Sequence, residues 1–553
     1  SGAPHRPGGP QSVQTGDVLR MTRAQRPVKG CELHPGKCGQ CDEVFVRDLT
    51  TAPESFKADL RVGRRIRQEI DSGVFVECRQ RPCEGQRWEA GGGMHRQCTR
   101  DCSAGSASSR RKRHRGDSAV RHNGGVPSPD SVPAFSFQFH ARLRDGKGVP
   151  EARIRENGGQ FQARTGTITT PHGQIQTPAF IPVATQAAMK AVLPESMAAE
   201  GAQAMLANAY HLFLEPGDDV LDEAGGLSTF MNWPGPTFTD SGGFQVMSLG
   251  SGLGKVIDMS TGASPLGDSQ MAPGQKRMAR VDDDGVWFRS YLNGDLHRFT
   301  PEVSMRVQHN IGADIMFAFD ELTTLHNTRA YQEVALERTR KWALRCVYEH
   351  HRLTQERAHK PYQALFGVIQ GAQYEDLRRQ ACRDLSGMGF DGFGIGGALE
   401  KSQLGTIVRW CTEELPENTP KHLLGISEPD DIFTAIDNGV DTFDCVSPTR
   451  VARSSAVYSP TGRFNLTNIR FKRDFTPISD TCPCYTCTHY TRAYLRHLFK
   501  SKERNAATLA SIHNERFVLD LVAGARAAID DGTYFEYRDE FLGSYYGTTQ
   551  PNI

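Results

Sequence analysis

The chain has 553 residues, enough for one large barrel with an added segment or for two to three ordinary domains. Its formal net charge is +1, so the whole-chain charge indicates no class of partner. The sequence has no run of about 18 apolar residues, which excludes a membrane-spanning helix, and no apolar leader that would indicate secretion. The predicted location is the cytoplasm.

Residues 1–133 are predicted to be a low-order, basic N-terminal extension. They are rich in Arg, Gly, Ser and Pro, and they carry 23 Lys and Arg against 15 Asp and Glu, whereas the rest of the chain carries 42 against 49. Two other interpretations stay open: an arm that binds nucleic acid through the basic run RRKRHR at residues 110–115, or a segment ahead of the true start of the protein. A small zinc module is a further alternative, built on cysteines whose spacings match no closed zinc site well: Cys31, Cys38, Cys41, Cys78, Cys83, Cys98 and Cys102.

Residues 134–553 alternate eight times between short apolar runs of β type and amphipathic helical patterns. Near-continuous apolar strands separated by helices are typical of a parallel sheet covered by helices, and eight units predict a closed (β/α)8 TIM barrel of the α/β class. An open doubly wound sheet is the alternative, but no Gly-rich phosphate loop opens the first helix. The predicted strands are 179–185, 204–210, 236–240, 314–320, 364–371, 392–397, 422–426 and 441–446, and the clearest helices are 329–353, 374–385 and 403–414.

One long insertion separates the third and fourth predicted strands. Residues 249–284 are rich in Gly, Ser and Met, and they are predicted to be a loop or lid.

Polar residues stand at the ends of several predicted strands, where the active sites of such barrels lie. Asp240, Asp320 and Asp444 end the third, fourth and eighth strands, and Gln370 ends the fifth. Each carboxylate alone could instead be the N-cap of the following helix. Their convergence on one barrel mouth favours a binding site, because buried carboxylates are costly without a partner.

The set fits a guanine base bound to a sugar. Asp320 could accept hydrogen bonds from an adjacent N–H and NH2, while Gln370 and the backbone N–H of Gly397 could donate to a neighbouring carbonyl. Asp240 and Asp444 would then flank the glycosidic bond, and paired carboxylates can act there as nucleophile and acid/base.

Residues 475–520 are predicted to form a zinc-binding subdomain. Cys482, Cys484 and Cys487 follow the pattern C-x-C-x2-C, which is specific for a soft tetrahedral ion, with zinc as the default. His489, His497 and His513 are candidates for the fourth ligand, of which His489 would strain the chelate loop. Four protein ligands would close the site, so the predicted zinc is structural.

Several long motifs in residues 160–545 resemble the tRNA-guanine transglycosylases (queuine tRNA-ribosyltransferases) of bacterial type. They are TTPHG, TPAFIPVAT, NAYHLFLEPG, TDSGGFQVMSL, FAFDE, FGVIQG, TFDCVSPTR, CPCYTC and IHNERF. The resemblance implies a (β/α)8 barrel with a zinc subdomain, acting as a homodimer in queuosine biosynthesis. Such enzymes exchange guanine at the tRNA wobble position for a 7-deazaguanine.

The resemblance also implies roles for individual residues. Asp444 would be the nucleophile on the ribose, Asp240 would handle the proton of the base, and His513 would complete the zinc site. The implied base-binding residues are Asp240, Ser241, Gly242, Gly243, Phe244, Asp320, Gln370, Gly396, Gly397 and Leu424. The implied RNA-contacting residues are Gly425, Ile426, Ser427, Glu428, Pro429, Asp430, Asp431, Thr449, Arg450, Val451, Ala452 and Arg453.

Cys445, beside Asp444, is a competing candidate for the nucleophile. Side chains alternate along a strand, so Cys445 is expected to leave on the opposite side from Asp444 and to pack as a small hydrophobic residue. A carboxylate also suits attack on a glycosyl carbon, and two displacements would retain configuration. Arg450 and Arg453 are expected to hold flanking phosphates, with a surface salt bridge as the alternative.

The loop GGALEKS at residues 396–402 departs from the family pattern Gly-Gly-Leu-Ala-Val-Gly-Glu, which puts the identity of the incoming base in doubt. Here Ala398 replaces a leucine, and the acid comes early, as Glu400. We expect 7-aminomethyl-7-deazaguanine, with queuine as the second choice. Two rival functions are a catalytically silent RNA-binding subunit and an enzyme that inserts deazaguanines into DNA.

Overall fold

The computed structural model describes residues 135–143, 161–245, 279–325, 327–397 and 400–547, together with two strands nearer the N-terminus. The chain divides into two compact units, Ser1–Val120 and Arg121–Ile553. In the first unit, strands β1 (Glu43–Asp48) and β2 (Val74–Arg79) pair antiparallel, which the sequence patterns did not predict. The predictions for the basic run lie outside the described residues, as do those for the N-terminal cysteines except Cys78 on β2.

The second unit contains the predicted alternation of strands and helices. Its strands are β3 (Ser136–Arg142), β4 (Arg164–Thr170), β5 (Gly173–Thr177), β6 (Ala179–Pro182), β7 (Met205–Ala207), β8 (Thr237–Thr239), β9 (Ala279–Asp282), β10 (Gly285–Arg289), β11 (Leu296–Phe299), β12 (Ile315–Phe317), β13 (Ala364–Ile369), β14 (Gly392–Ile395), β15 (Lys421–Leu423), β16 (Thr442–Cys445), β17 (Ala456–Val457) and β18 (Phe464–Asn465). Its α-helices are α1 (Pro194–Ala199), α2 (Ala209–Leu214), α3 (Asp218–Glu223), α4 (Leu227–Met231), α5 (Pro301–Ile311), α6 (Arg329–Glu356), α7 (Glu375–Ser386), α8 (Leu404–Glu414), α9 (Pro429–Asp437), α10 (Ser447–Arg453), α11 (Tyr485–His489), α12 (Arg492–Lys500), α13 (Asn505–Asp531) and α14 (Tyr534–Tyr546).

Eight parallel strands form the barrel, which confirms the predicted fold class and rules out the open sheet. Their order is β6-β16-β15-β14-β13-β12-β8-β7, and a parallel bridge between Val183 and Leu206 joins the two outer strands. Each barrel strand lies within a predicted run or begins one residue before it, and all eight are shorter than predicted. Among the described residues, no helix is long and apolar enough to cross a membrane.

Alternation along the barrel strands divides their side chains between two cores. On β13, Phe366 and Val368 belong to the core inside the barrel, whereas Leu365 and Ile369 belong to the core that the surrounding helices cover. The antiparallel sheet β3-β4-β5 adds Ile168 and Ile175 to the inner core. The interior of the barrel is therefore packed with side chains.

Local sequence signals set the helix bounds. Helix α5 begins after Thr300, whose hydroxyl accepts from the N–H of Val303, and it has Pro301 at its first position. It ends at Gly312, whose φ of 74° is the left-handed cap that glycine adopts readily. Thr328 caps α6 in the same way.

The insertion between β8 and β12 differs from the expected loop at its C-terminal end. Residues 279–282 form β9, which continues into an antiparallel sheet in the order β11-β10-β9. Asp282 explains the turn, because its carboxylate accepts from the N–H groups of Asp284 and Gly285 and pairs with both terminal nitrogens of Arg298. The prediction of a loop is thus wrong for residues 279–282, and residues 246–278 lie outside the described part of the chain.

A third core supports the C-terminal subdomain. It joins residues of α12 and α13 to Val457, Leu466, Ile478 and two of the clustered cysteines. Apolar packing therefore surrounds the predicted metal-binding residues.

A buried ion pair lies at the base of the barrel, opposite the rim of strand carboxyl ends. Arg164 donates from Nε and Nη2 to Asp441 at 2.9 and 2.6 Å, and the side chains are 5% and 0% exposed. Asp441 also accepts from the backbone N–H of Lys421 at 2.7 Å. The carboxylate thus ties β4 to β15 and β16.

We expect Asp441→Asn to lower the free energy of unfolding by about 3 to 5 kcal/mol, because it leaves the buried Arg164 charge uncompensated. Urea unfolding of the full chain would measure the change. Asp376→Asn is the matched control, since it removes the carboxylate of an exposed ion pair with Arg329, and it should alter stability little. Equal effects of the two substitutions would contradict the structural role of Asp441.

Candidate active site

The carboxyl ends of the barrel strands bring the predicted polar residues to one rim. Asp444 lies on β16, Asp240 directly follows β8, and Gln370 directly follows β13. Asp320 comes three residues after the end of β12. None of the three aspartates is the N-cap of a helix whose bounds are described, so the capping interpretation does not apply.

Asp240 lies in a network of donors at the rim. Its carboxylate accepts from the amide of Asn208, from the N–H of Ala209 at 2.9 Å and from the N–H of Gly242 at 3.3 Å. Burial nevertheless raises the pKa of Asp240 to about 7, and the nearby charge of Asp444 adds to the rise. Asp240 can therefore gain or lose a proton near neutral pH.

Asp320 and Gln370 form a buried acceptor–donor pair. Gln370 donates from Nε2 to Asp320 Oδ2 at 2.7 Å, and the hydroxyl of Ser241 donates to Oδ1 at 3.2 Å. Burial raises the pKa of Asp320 to about 6 despite these bonds. The oxygen Oε1 of Gln370 has no hydrogen-bond partner among the described residues. The pair thus presents both a carboxylate and an amide to one pocket.

Glycines keep the walls of this pocket open. A Cβ atom at Gly396 would come within 3.0 Å of Gln370 Nε2, and one at Gly397 within 2.9 Å of Gln370 Oε1. Gly397 also has a φ of 96°, which side chains rarely adopt. The Cδ1 atom of Leu424 lies 3.5 Å from the Cβ position of Gly396, and Phe244 is 39% exposed. The pocket is therefore lined by peptide and apolar surfaces beside its acids.

Asp444 accepts two hydrogen bonds on the same oxygen. His422 Nε2 lies 3.0 Å from Oδ1, and the N–H of Gly425 donates to Oδ1 at 3.2 Å. Cys445 packs against the core between barrel and helices, as strand alternation predicts, and burial raises the pKa of its thiol to about 11. A thiol that resists ionisation is a poor nucleophile at neutral pH.

The segments predicted to contact RNA follow β15 and β16 at the same rim. Gly425 and Arg450 are exposed, whereas Ser427, Pro429, Thr449 and Ala452 are buried. No carboxylate among the described residues lies within ion-pair distance of Arg450 or Arg453. The alternative interpretation, in which Arg450 and Arg453 form surface salt bridges, therefore finds no partner among the described residues.

Asp430 and Asp431, in the predicted RNA-contacting segment that follows β15, lie close to a lysine. Lys401 Nζ lies 2.8 Å from Asp430 and 3.5 Å from Asp431, which ties residues 396–402 to the start of α9. Burial and the neighbouring Asp430 raise the pKa of Asp431 to about 6.

The clustered cysteines meet one histidine. Cys482, Cys484, Cys487 and His513 place their ligand atoms within 4.8 Å of one another, a group that could hold a metal ion. His513 Nδ1 faces the three sulfurs at 3.3 to 3.6 Å, and its Nε2–H donates to the carbonyl of Tyr458 at 2.8 Å. That outer bond fixes which ring nitrogen is free to bind a metal. Of the three histidines that spacing left open, His513 is the one in the cluster.

Sequence reasoning missed two buried polar residues near the site. His422 begins the predicted strand at residues 422–426, and period-2 alternation from Leu424 places it on the inward face. Arg378 is fully buried on α7 and donates to the carbonyls of Ile369, Ala372 and Gly396. No local pattern identifies Arg378, because its partners come from two different strand ends.

The fold and the site define a (β/α)8 barrel with buried carboxylates gathered at its carboxyl rim and a separate Cys3His cluster. The family model described as queuine tRNA-ribosyltransferase matches residues 160–547. Three similar proteins are all named queuine tRNA-ribosyltransferase. They come from Macrococcus caseolyticus (41% identical, covering 70% of this chain and 94% of that protein), Halothermothrix orenii (42%, 69% and 95%) and Bacillus subtilis (40%, 71% and 95%). The chain belongs to the queuine tRNA-ribosyltransferase family.

We expect the purified protein to contain one metal ion per chain and Cys484→Ser to lose most of it, because the variant removes one of four clustered ligands. Elemental analysis by mass spectrometry would measure the content and identify the ion. Cys445→Ser is the matched control, since this cysteine lies outside the cluster, and it should keep the metal. Equal metal content in the two variants would contradict the assignment of the cluster.

Proposed function

We propose that this protein is a tRNA-guanine transglycosylase that replaces guanine at the wobble position of GUN-anticodon tRNAs with a 7-deazaguanine, in queuosine biosynthesis. The observation that carries the proposal is the meeting of Asp240 and Asp444 with the Asp320–Gln370 pair at one barrel mouth. The pair suits a guanine edge, and the two other acids suit a glycosidic bond.

Base recognition would use the acceptor–donor pair directly. Asp320 would accept from N1–H and the 2-amino group, and Gln370 Nε2 would leave Asp320 to donate to the 6-carbonyl. The backbone N–H of Gly397 would add a second donor. Phe244 and Leu424 would cover the two faces of the ring. An adenine would present the opposite pattern and leave these buried groups unpaired.

In the first half-reaction, a carboxylate oxygen of Asp444 attacks C1′ of the ribose. The bond from C1′ to guanine N9 breaks, its electron pair goes to the base, and the protonated Asp240 gives a proton to the departing guanine. The product is an ester between Asp444 and the tRNA. The raised pKa of Asp240 supports this role, because the group holds a proton near neutral pH.

In the second half-reaction, the incoming base attacks C1′ through N9. It gives its N9 proton to the carboxylate of Asp240, and the ester bond to Asp444 breaks. Two inversions retain the configuration of the sugar. Asp240 thereby returns to its protonated form, so one group serves both half-reactions.

The target nucleotide must leave its loop to reach this pocket. Arg450, which is exposed, and Arg453, which is half-buried, lie on α10, the helix that follows the strand of Asp444. Neither arginine has a carboxylate partner among the described residues, which supports a role in holding the flanking phosphates. Gly425 and the residues up to Asp431 would contact the RNA from the neighbouring strand end.

We further propose that the ion in the Cys3His cluster is zinc, with a structural role. Three thiolates and an imidazole are the donor set that zinc prefers, and four protein ligands leave no position for a substrate. When bound, zinc would cross-link α11 to α13.

The chain is proposed to act as a homodimer in the cytoplasm, with exposed tyrosines of this subdomain, Tyr485 and Tyr494, as candidates for the contact.

The incoming base is proposed to be 7-aminomethyl-7-deazaguanine, with queuine as the alternative. The basis is Glu400, the acid that comes early in the altered loop and could meet a cationic aminomethyl group. Displacement of labelled guanine from tRNA by each base distinguishes them.

We expect the protein to form a covalent adduct with unmodified tRNA when 9-deazaguanine blocks the return step. A denaturing gel should reveal a shifted band with the wild type and with Cys445→Ala, and none with Asp444→Asn, because only Asp444 supplies the ester oxygen. Loss of the band in Cys445→Ala alone would overturn the choice of nucleophile. Absence of the band in all three proteins would support a silent RNA-binding subunit, and an adduct with DNA in place of tRNA would support the DNA enzyme.

We expect the two half-reactions to respond oppositely to pH. Adduct formation needs protonated Asp240, whose pKa is about 7, so its rate should fall as pH rises through that value. Attack by the incoming base needs the carboxylate and should become faster over the same range. Single-turnover rates between about pH 5.5 and 8.5 would measure both. Asp240→Asn should abolish the opposing trends, and parallel trends in the wild type would refute the assignment of Asp240.

A further inference from the structure

The hydrogen bonds to Asp444 distinguish its two oxygens. His422 Nε2 and the N–H of Gly425 both bind Oδ1, at 3.0 and 3.2 Å. No described residue donates to Oδ2. The carboxylate is therefore held in one orientation, with one oxygen engaged and the other free to react.

The surroundings of His422 assign its tautomer. The ring is 0% exposed, and its Nδ1 lies 2.9 Å from the hydroxyl of Thr442. A carboxylate can only accept, so Nε2 carries a proton, and in the neutral ring Nδ1 then accepts from Thr442. The rings of Phe238 and Phe317 pack 5.7 and 5.2 Å from the imidazole, which leaves it no room to turn away.

We propose that His422 is a positioning residue that presents Oδ2 of Asp444 to the sugar and makes the same carboxylate a better leaving group in the second half-reaction. This inference rests on the proposed function, since it takes Asp444 as the nucleophile. Thr442 and the two phenylalanines hold the imidazole, and the imidazole holds the carboxylate.

The two oxygens of Asp444 have different roles in the proposed reaction. In the first half-reaction Oδ2 forms the bond to C1′, and Oδ1 becomes the carbonyl oxygen of the ester while keeping both donors. In the second, the bond from C1′ to Oδ2 breaks, and its electron pair returns to the carboxylate, where Oδ1 shares the charge. The incoming base forms its bond from N9 to C1′ and passes its proton to Asp240.

A hydrogen bond to an ionised oxygen is stronger than one to a neutral carbonyl. The bond from His422 therefore stabilises the free carboxylate more than the ester. Removing it should make the adduct more persistent, because the leaving carboxylate loses a donor as its charge returns. A residue that only fills space would not produce this difference between the two half-reactions.

The test compares His422→Phe with His422→Gln. Phenylalanine keeps an aromatic ring among aromatic neighbours but lacks the donor, whereas glutamine can place an amide N–H near the position of Nε2. The reaction uses unmodified tRNA and labelled guanine as the incoming base, so it does not depend on which deazaguanine the enzyme takes. Three quantities are measured: the rate of adduct formation, the rate at which guanine discharges the adduct, and the fraction of adduct at steady state.

We expect His422→Phe to discharge the adduct roughly 10- to 100-fold more slowly, the range for losing one hydrogen bond to a charged group, and to accumulate adduct. Its formation rate should change less. His422→Gln should recover most of the discharge rate. Equal slowing of both half-reactions, or unchanged rates in His422→Phe, would overturn the inference. An adduct that survives Asp444→Asn would overturn the choice of nucleophile on which the inference rests, and absence of any adduct with the wild type would instead overturn the proposed function itself.

Discussion

Closure of the barrel is the constraint on which the rest of this structure depends. Each short strand is parallel to its neighbours, and the bridge between Val183 and Leu206 joins the last gap. Parallel strands in a closed barrel must all end on the same rim. Residues far apart in the chain, such as Asp240, Asp320 and Asp444, therefore share one pocket without any local signal that connects them.

The rim places several carboxylates where water is scarce, and each has a different set of partners. Burial outweighs the hydrogen bonds at Asp240 and Asp320, so their pKa values rise to about 7 and about 6. Asp444 instead receives two donors on one oxygen. The environments separate a group suited to proton transfer from a group suited to covalent attack, although the three residues are chemically the same.

Strands β15 and β16 carry both the contacts of Asp444 and a buried ion pair that holds the barrel together. His422 and Thr442 lie on neighbouring strands in direct register, and their hydrogen bond leads to Asp444 two residues further along. The same two strands are tied at the opposite end of the barrel through Asp441 and Arg164. The carboxylate that is proposed to react is therefore carried by elements that are fixed at both ends, which limits the freedom of its side chain.

The eight strands, the covering helices and the polar residues that end the strands could all be predicted from the amino-acid sequence. These features follow from local periodicity and from residue type, which a single chain displays directly. Three close cysteines likewise predicted a metal cluster, because their spacing is local. Long-range packing settles the rest: the meeting of the cysteines with His513, which spacing left open and only the family resemblance implied, a sheet at residues 279–299, and the contact of His422 with Asp444. Local patterns cannot determine these contacts, because each joins segments that only the closed barrel or the packing of its helices brings together.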